Sequence, residues 1–185
     1  MNWDQSNYYV APKKYVKAEV SFMQWDVFLA ARTAIQEMLQ PDLLKGTENQ
    51  RNEQLGIYLL YLIMETGCRP SESPSLLNSF GSFNSSSKLP PYLSQRVLST
   101  SEDHKSKTGL SRWIVYVPHD FDFERHELWK KEFSDQVAKQ KISKFTNLIT
   151  ATLNKLKPTI FPDGTSPKSF RQIRGSEFIL RKQLA

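Results

Sequence analysis

Three groups of cationic side chains carry the chemistry that this sequence offers. Arg69 stands in Met64-Glu65-Thr66-Gly67-Cys68-Arg69-Pro70-Ser71-Glu72, directly after the most apolar run in the chain, Leu55 to Met64. Lys168 and Arg171 follow Ser166-Pro167, a pair suited to the N-cap and first position of a helix. Residues three apart share a helix face, so Lys168 and Arg171 can reach one phosphate together. The free N–H groups of a helix N-terminus favour the same anion. Lys105 and Lys107 lie in Lys105-Ser106-Lys107-Thr108-Gly109, between two runs of strand character. The chemistry open to such groups is the holding of an oxyanion, for which arginine is suited because it stays protonated and offers two parallel donors. Each group also has a plainer reading. Arg69 can pair with Glu72 to tie down its turn, and Lys107 can be a solvated turn residue. Lys168 and Arg171 can belong to an ordinary basic helix surface that Arg174, Arg181 and Lys182 continue.

The elements around these residues decide how they are held. The run from Leu55 to Met64 predicts a helix buried in a globular core, because it contains a glycine and two tyrosines and is too short to span a bilayer. Gly67 is placed to end it in the left-handed conformation. Pro70 fixes its own φ and pushes Arg69 away from helical geometry. Upstream, residues 1–20 read as an arm or linker. Ser21 is expected to start a helix, with Gln24 completing a capping box and Val20 and Trp25 a hydrophobic staple. Its stripe is Trp25, Phe28, Leu29, Ile35, Met38 and Leu39. Residues 45–52 read as a polar loop.

Downstream of Glu72, Ser73-Pro74-Ser75 is expected to break any long continuation, and residues 78–87 are rich in Ser, Asn and Gly. Residues 96–117 predict a hairpin. Its second strand, Arg112-Trp113-Ile114-Val115-Tyr116-Val117, is β-branched and aromatic, and Gly109 suits the turn. A charged helix is predicted over 123–140 and an amphipathic one over 142–156. After a loop at 158–164 a last helix carries Phe170, Ile173 and Phe178 on its apolar side. The fold class expected is mainly α within an α+β arrangement, with a small antiparallel sheet or hairpin.

Composition narrows the partners. The 185 residues carry a formal charge of +6 with a pI near 9.4, so an anionic partner is expected, nucleic acid first. The single cysteine, Cys68, excludes an intrachain disulfide and fits a reducing compartment, cytoplasmic or nucleoid-associated. A small buried spacer is its expected role, against a reactive thiol. His104, His119 and His126 have no metal-ligand spacing with a second cysteine. No signal-peptide core and no membrane-spanning segment are expected.

Thr-Gly-x-Arg-x-x-Glu after an apolar helix resembles the first arginine box of the tyrosine recombinases, the phage integrase family. Ser106-Lys107-Thr108-Gly109, followed by the basic Arg112, a hydrophobic strand and Val117-Pro118, resembles that family's catalytic-lysine hairpin. Lys107 takes the lysine position and Lys105 is the alternative. Lys168-Ser169-Phe170-Arg171 is similar to the family's His-x-x-Arg box, with lysine where histidine is usual, as in the telomere resolvases. Pro74 and the Ser-rich stretch depart from the family pattern.

The resemblance implies a helical integrase-like catalytic domain over residues 21–185 that breaks and rejoins DNA through a 3′-phosphotyrosine link. Arg69 and Arg171 would hold the scissile phosphate, Lys168 one of its oxygens, and Lys107 would protonate the leaving 5′-oxygen. Glu72 would position Arg69, and Lys105, Arg112 and Arg174 would contact DNA. No metal or cofactor is implied. The partner would be double-stranded DNA, with a homo-oligomer forming on it. The attacking tyrosine belongs after the second arginine, yet all seven tyrosines precede Arg171. The expectation is therefore an incomplete catalytic domain, without its nucleophile and without room for a core-binding domain. The resemblance does not separate integrase, resolvase and telomere resolvase. Two other classes also fit the residues: a non-catalytic DNA-binding module, and an unrelated α+β interaction domain.

Overall fold

The computed structural model describes residues 23–79, 96–97, 112–113 and 120–184. Its organising element is the helix over Glu48–Thr66, α2, on which the other helices pack. Every residue from Gln54 to Thr66 is buried. A helix apolar on all sides must be covered on all sides, and α2 is. Around it lie α1 (Trp25–Met38), α3 (Ser73–Ser79), α4 (Phe123–Lys139), α5 (Ile142–Lys155) and α6 (Pro167–Leu184). A 3-10 turn, Pro41–Lys45, joins α1 to α2.

The helix patterns read from residues 123–140, 142–156 and 167–182 correspond to α4, α5 and α6. The periodic apolar face expected of 142–156 is buried in α5, and α4, read only as a charged helix, buries a stripe as well. In α4 it is His126, Trp129, Phe133 and Val137, and in α5 it is Phe145, Ile149 and Leu153. Two starts differ from expectation. α1 begins at Trp25 rather than Ser21, because Gln24 is extended (φ −69°, ψ 149°) and takes the N-cap place without a side-chain hydrogen bond. α2 begins inside the stretch read as a loop. Thr47 and Gln50 form a reciprocal capping box, Gln50 N–H to Thr47 Oγ1 at 3.3 Å and Thr47 N–H to Gln50 Oε1 at 2.8 Å.

The expected α+β class, with an antiparallel sheet, is overturned. The described residues are helical, and their extended pairing is limited to two residues a side, Arg96 opposite Trp113 and Val97 opposite Arg112. Strand propensity expresses fit to a pleated, half-buried surface. Among the described residues the core element α2 is covered by helices, and the rest of the stretch read as a hairpin, 98–111 and 114–117, lies outside the described residues. Among the described residues no long helix continues through Ser73-Pro74-Ser75, which instead opens a short one. Ser73–Ser79 forms α3 with Pro74 in its first turn, where a missing N–H costs nothing. Leu76 and Leu77 of α3 are fully buried.

α5 crosses α2 closely at Gly56. A Cβ there would run into Thr152 Oγ1 and lie 3.2 Å from Leu148 Cγ. Thr152 Oγ1 is held by a 2.8 Å bond to the Leu148 carbonyl. Gly56→Ala is therefore expected to destabilise by about 1–3 kcal/mol through overpacking, despite alanine's advantage of about 0.5–1 kcal/mol within a helix. Urea unfolding measures the sum, and an unchanged midpoint would mean that α5 can slide away at no cost. Among the described residues no helix is long and apolar enough to cross a membrane.

Candidate nucleic-acid interface

The end of α2 builds the first half of the site. Gly67 adopts the left-handed conformation (φ 67°, ψ 18°), and its N–H bonds the Ile63 carbonyl at 2.8 Å. Thr66 Oγ1 donates to the Leu62 carbonyl at 2.7 Å, and the Cys68 N–H donates back to Thr66 Oγ1. Cys68 is buried, as a spacer would be. The Arg69 N–H then donates to Glu72 Oε2 at 2.7 Å, while the Arg69 carbonyl accepts from the N–H groups of Glu72 and Ser73. Glu72 is buried and closes this turn through the Arg69 backbone, leaving the Arg69 side chain exposed.

The start of α6 builds the second half. Pro167 is its first residue. The Ser166 N–H donates to Ser169 Oγ at 3.2 Å, one arm of a capping box. Phe170 and Ser169 face inward, and Phe170 meets Phe161 edge-on with centroids 5.5 Å apart. That anchoring turns Lys168 and Arg171 outward, and both are exposed. The two halves touch. A Cβ placed on Gly67 would lie 3.4 Å from Arg171 Cα and 3.3 Å from Arg174 Cβ. Boxes about a hundred residues apart in sequence therefore meet at the end of α2.

Arg174 differs from its expected place among the DNA contacts. It is 3% exposed, and its guanidinium turns into the protein. Nε donates to the Met64 carbonyl at 2.8 Å, Nη2 to Glu65 Oε1 at 3.2 Å and Nη1 to Glu177 Oε2 at 2.7 Å. Its Cζ also sits 4.7 Å from the centre of the Phe28 ring. Met64 offers one of the carbonyls that a helix end leaves without an intrahelical partner, so Arg174 acts as a cation at the α2 C-terminus. Lys105 and Lys107 lie outside the described residues. Arg112 is described in its backbone, opposite Val97.

Sequence reading gave no role to Arg32, Glu65 or Asp120, yet these three lie at the centre of the arrangement. Glu65 is fully buried. Arg32 grips it with two bonds, Nε to Oε1 at 2.5 Å and Nη2 to Oε2 at 2.7 Å. On its outer side Arg32 also grips Asp120, Nη1 to Oδ2 at 2.7 Å and Nη2 to Oδ1 at 3.1 Å. Charges thus alternate along a chain Asp120, Arg32, Glu65, Arg174, Glu177. Burial acts to lower the Arg32 pKa, but the bonds to Glu65 and Asp120 outweigh it and the net shift is upward. One signal for Arg32 was available: it falls among Phe28, Ala31 and Ile35 on the buried face of α1.

The hydrogen bond from Arg32, opposed by partial burial, lowers the Asp120 pKa below its ordinary value. The stability it adds is complete above the ordinary aspartate range and is lost as pH falls through the lower folded value. The Asp120 side chain is 70% exposed, so solvent screening keeps the contribution below about 1 kcal/mol. Asp120→Asn is expected to flatten the acid limb of the stability profile by that amount and to leave a smaller salt dependence. Urea midpoints below and above the aspartate range measure it. An acid limb identical to wild type would show that Asp120 makes no such contribution.

No protein family, no curated protein and no solved structure matches this chain.

Proposed function

We propose that this chain carries the phosphate-gripping part of a tyrosine-recombinase-like catalytic domain and binds duplex DNA through its backbone. The observation that supports the reading most is the contact between Gly67 and Arg171 across the α2 end. It sets the turn that leads to Arg69 against α6 at Arg171, one turn after Lys168. All three cations are exposed, whereas Glu65 and Glu72 are buried. A phosphate held there would meet two guanidinium groups, an ammonium and the N-terminal N–H groups of α6. In the reaction class proposed, charge builds on the equatorial oxygens of the phosphate. Preorganised donors of this kind contribute roughly 3–4 kcal/mol each by analogy with oxyanion holes. Lys107 is assigned the general acid for the leaving 5′-oxygen.

The attacking tyrosine is not among the described residues. Their tyrosines, Tyr58 and Tyr61, are both fully buried, and the Tyr58 hydroxyl is bonded to His126 Nδ1. Burial is the main cause that raises the pKa of both, which opposes formation of a nucleophilic phenolate.

Salt titration of duplex binding tests the reading. Log affinity is expected to fall linearly with log salt, and Arg171→Ala or Lys168→Ala to reduce the slope by about 1 each across unrelated sequences. Binding that is insensitive to salt and to both variants would remove the reading and favour an interaction domain. Incubation with a nicked duplex, read on a denaturing gel, separates the catalytic version from the binding version. No covalent adduct is expected from this chain, and an adduct would identify a tyrosine outside the described residues.

A further inference from the structure

We propose that Glu65 is the positioning residue of this site: one buried carboxylate that fixes the Lys168 and Arg171 face of α6 against the Arg69 turn. The proposal rests on the DNA-binding reading above. Glu65 lies one turn before Arg69, on the helix whose end carries the first box. Its partner Arg174 lies three residues after Arg171, on the helix that carries the third. The Glu65–Arg174 bond and the bond from Arg174 to the Met64 carbonyl therefore join the two boxes directly behind their exposed side chains. Arg32 joins from α1 and holds Glu65 by both oxygens, so the carboxylate has no freedom to turn.

Stability alone does not account for this arrangement. Desolvating a carboxylate and two guanidinium groups costs about as much as their attraction returns, and apolar replacements of similar volume are often as stable. What such replacements lack is direction. The planar fork of arginine accepts one orientation relative to a carboxylate and a carbonyl, whereas apolar side chains tolerate sliding. The site requires that directionality, because a phosphate-binding pair displaced by about 1 Å loses much of its effect.

Glu65→Gln and Arg174→Lys test the proposal on the full chain. Glutamine keeps the shape of Glu65 and removes its charge, and lysine keeps the charge of Arg174 and removes its fork. If one fails to fold, the other carries the test. Both are compared with Arg171→Ala and with the double variants, at a temperature where circular dichroism shows each folded. The expected result is a salt slope for duplex binding reduced by about 1–2, with no further reduction when Arg171→Ala is added. Amide exchange should rise in residues 166–174 and stay unchanged in α5. An unchanged slope in Glu65→Gln, with Arg171→Ala still reducing it, would overturn the positioning role and leave the DNA reading standing. Salt-insensitive binding by the wild-type chain would overturn both.

Discussion

Glu65→Ala is expected to cost about 3–5 kcal/mol, the range seen when one partner of a buried ion pair is removed. The variant strands two guanidinium groups at once. Arg174 is 3% exposed and Arg32 is 9% exposed, so water does not replace the lost carboxylate around either group. Arg32 would retain Asp120, and Arg174 would retain Glu177 and the Met64 carbonyl. Those remaining partners place the expected loss within the range rather than above it. Arginine cannot escape by deprotonating, unlike a buried lysine. Replacing Arg32, Glu65 and Arg174 together by apolar residues should cost less than the single substitution, because no guanidinium is then left beside an empty carboxylate position. The remaining cost is the Arg174 bond that Glu177, 10% exposed, loses. Urea unfolding of the single and triple variants measures both. A single-variant loss below about 1 kcal/mol would show that the two arginines find other partners at little cost. The contrast between the variants also separates stability from placement. A stable triple variant that binds DNA poorly would locate the role of Glu65 in orientation.

What the sequence made legible was local. The α5 stripe could be read because one face of that helix packs on α2 and the opposite face meets solvent. The turn after Gly67 could be read because a glycine followed by Arg-Pro leaves few backbone choices, and the left-handed Gly67 is the result. Thr47 and Gln50 were equally legible as a capping box, but the polar composition around them suggested a loop. Two features were not local. A β-branched run reports what the backbone tolerates and does not specify what it pairs with, and of this one only Arg112 and Trp113 are among the described residues. The charge chain was hidden for the same reason. Arg32, Glu65, Asp120 and Arg174 come from four separate stretches, and nothing in any one of them specifies its partner. The basic cluster of α6 illustrates the point. Lys168, Arg171 and Arg174 look alike in sequence, yet the contact with α2 turns two outward and buries the third.

Gly67→Ala should damage both stability and binding, since Gly67 is the point where the two boxes touch. Its φ of 67° lies in the left-handed region, where a Cβ costs roughly 1–2 kcal/mol. The new methyl would also press on α6, at 3.3 Å from Arg174 Cβ and 3.4 Å from Arg171 Cα. The first distance asks α6 to give by a few tenths of an ångström, and the second is ordinary van der Waals contact. Most of the cost is therefore the left-handed backbone, relieved by unwinding the α2 end or by a small shift of α6. Either movement separates Arg171 from Arg69 and stretches the Arg174–Glu65 bond, already 3.2 Å long. The expected result is a lower unfolding midpoint together with a shallower salt slope for duplex binding. Gly175→Ala provides the comparison on the same helix. Nothing lies within 4 Å of its added Cβ, so it should stabilise by about 0.5–1 kcal/mol and leave binding unchanged. If Gly67→Ala destabilises yet binds DNA with the wild-type slope, the contact between α2 and α6 sets the fold without setting the site.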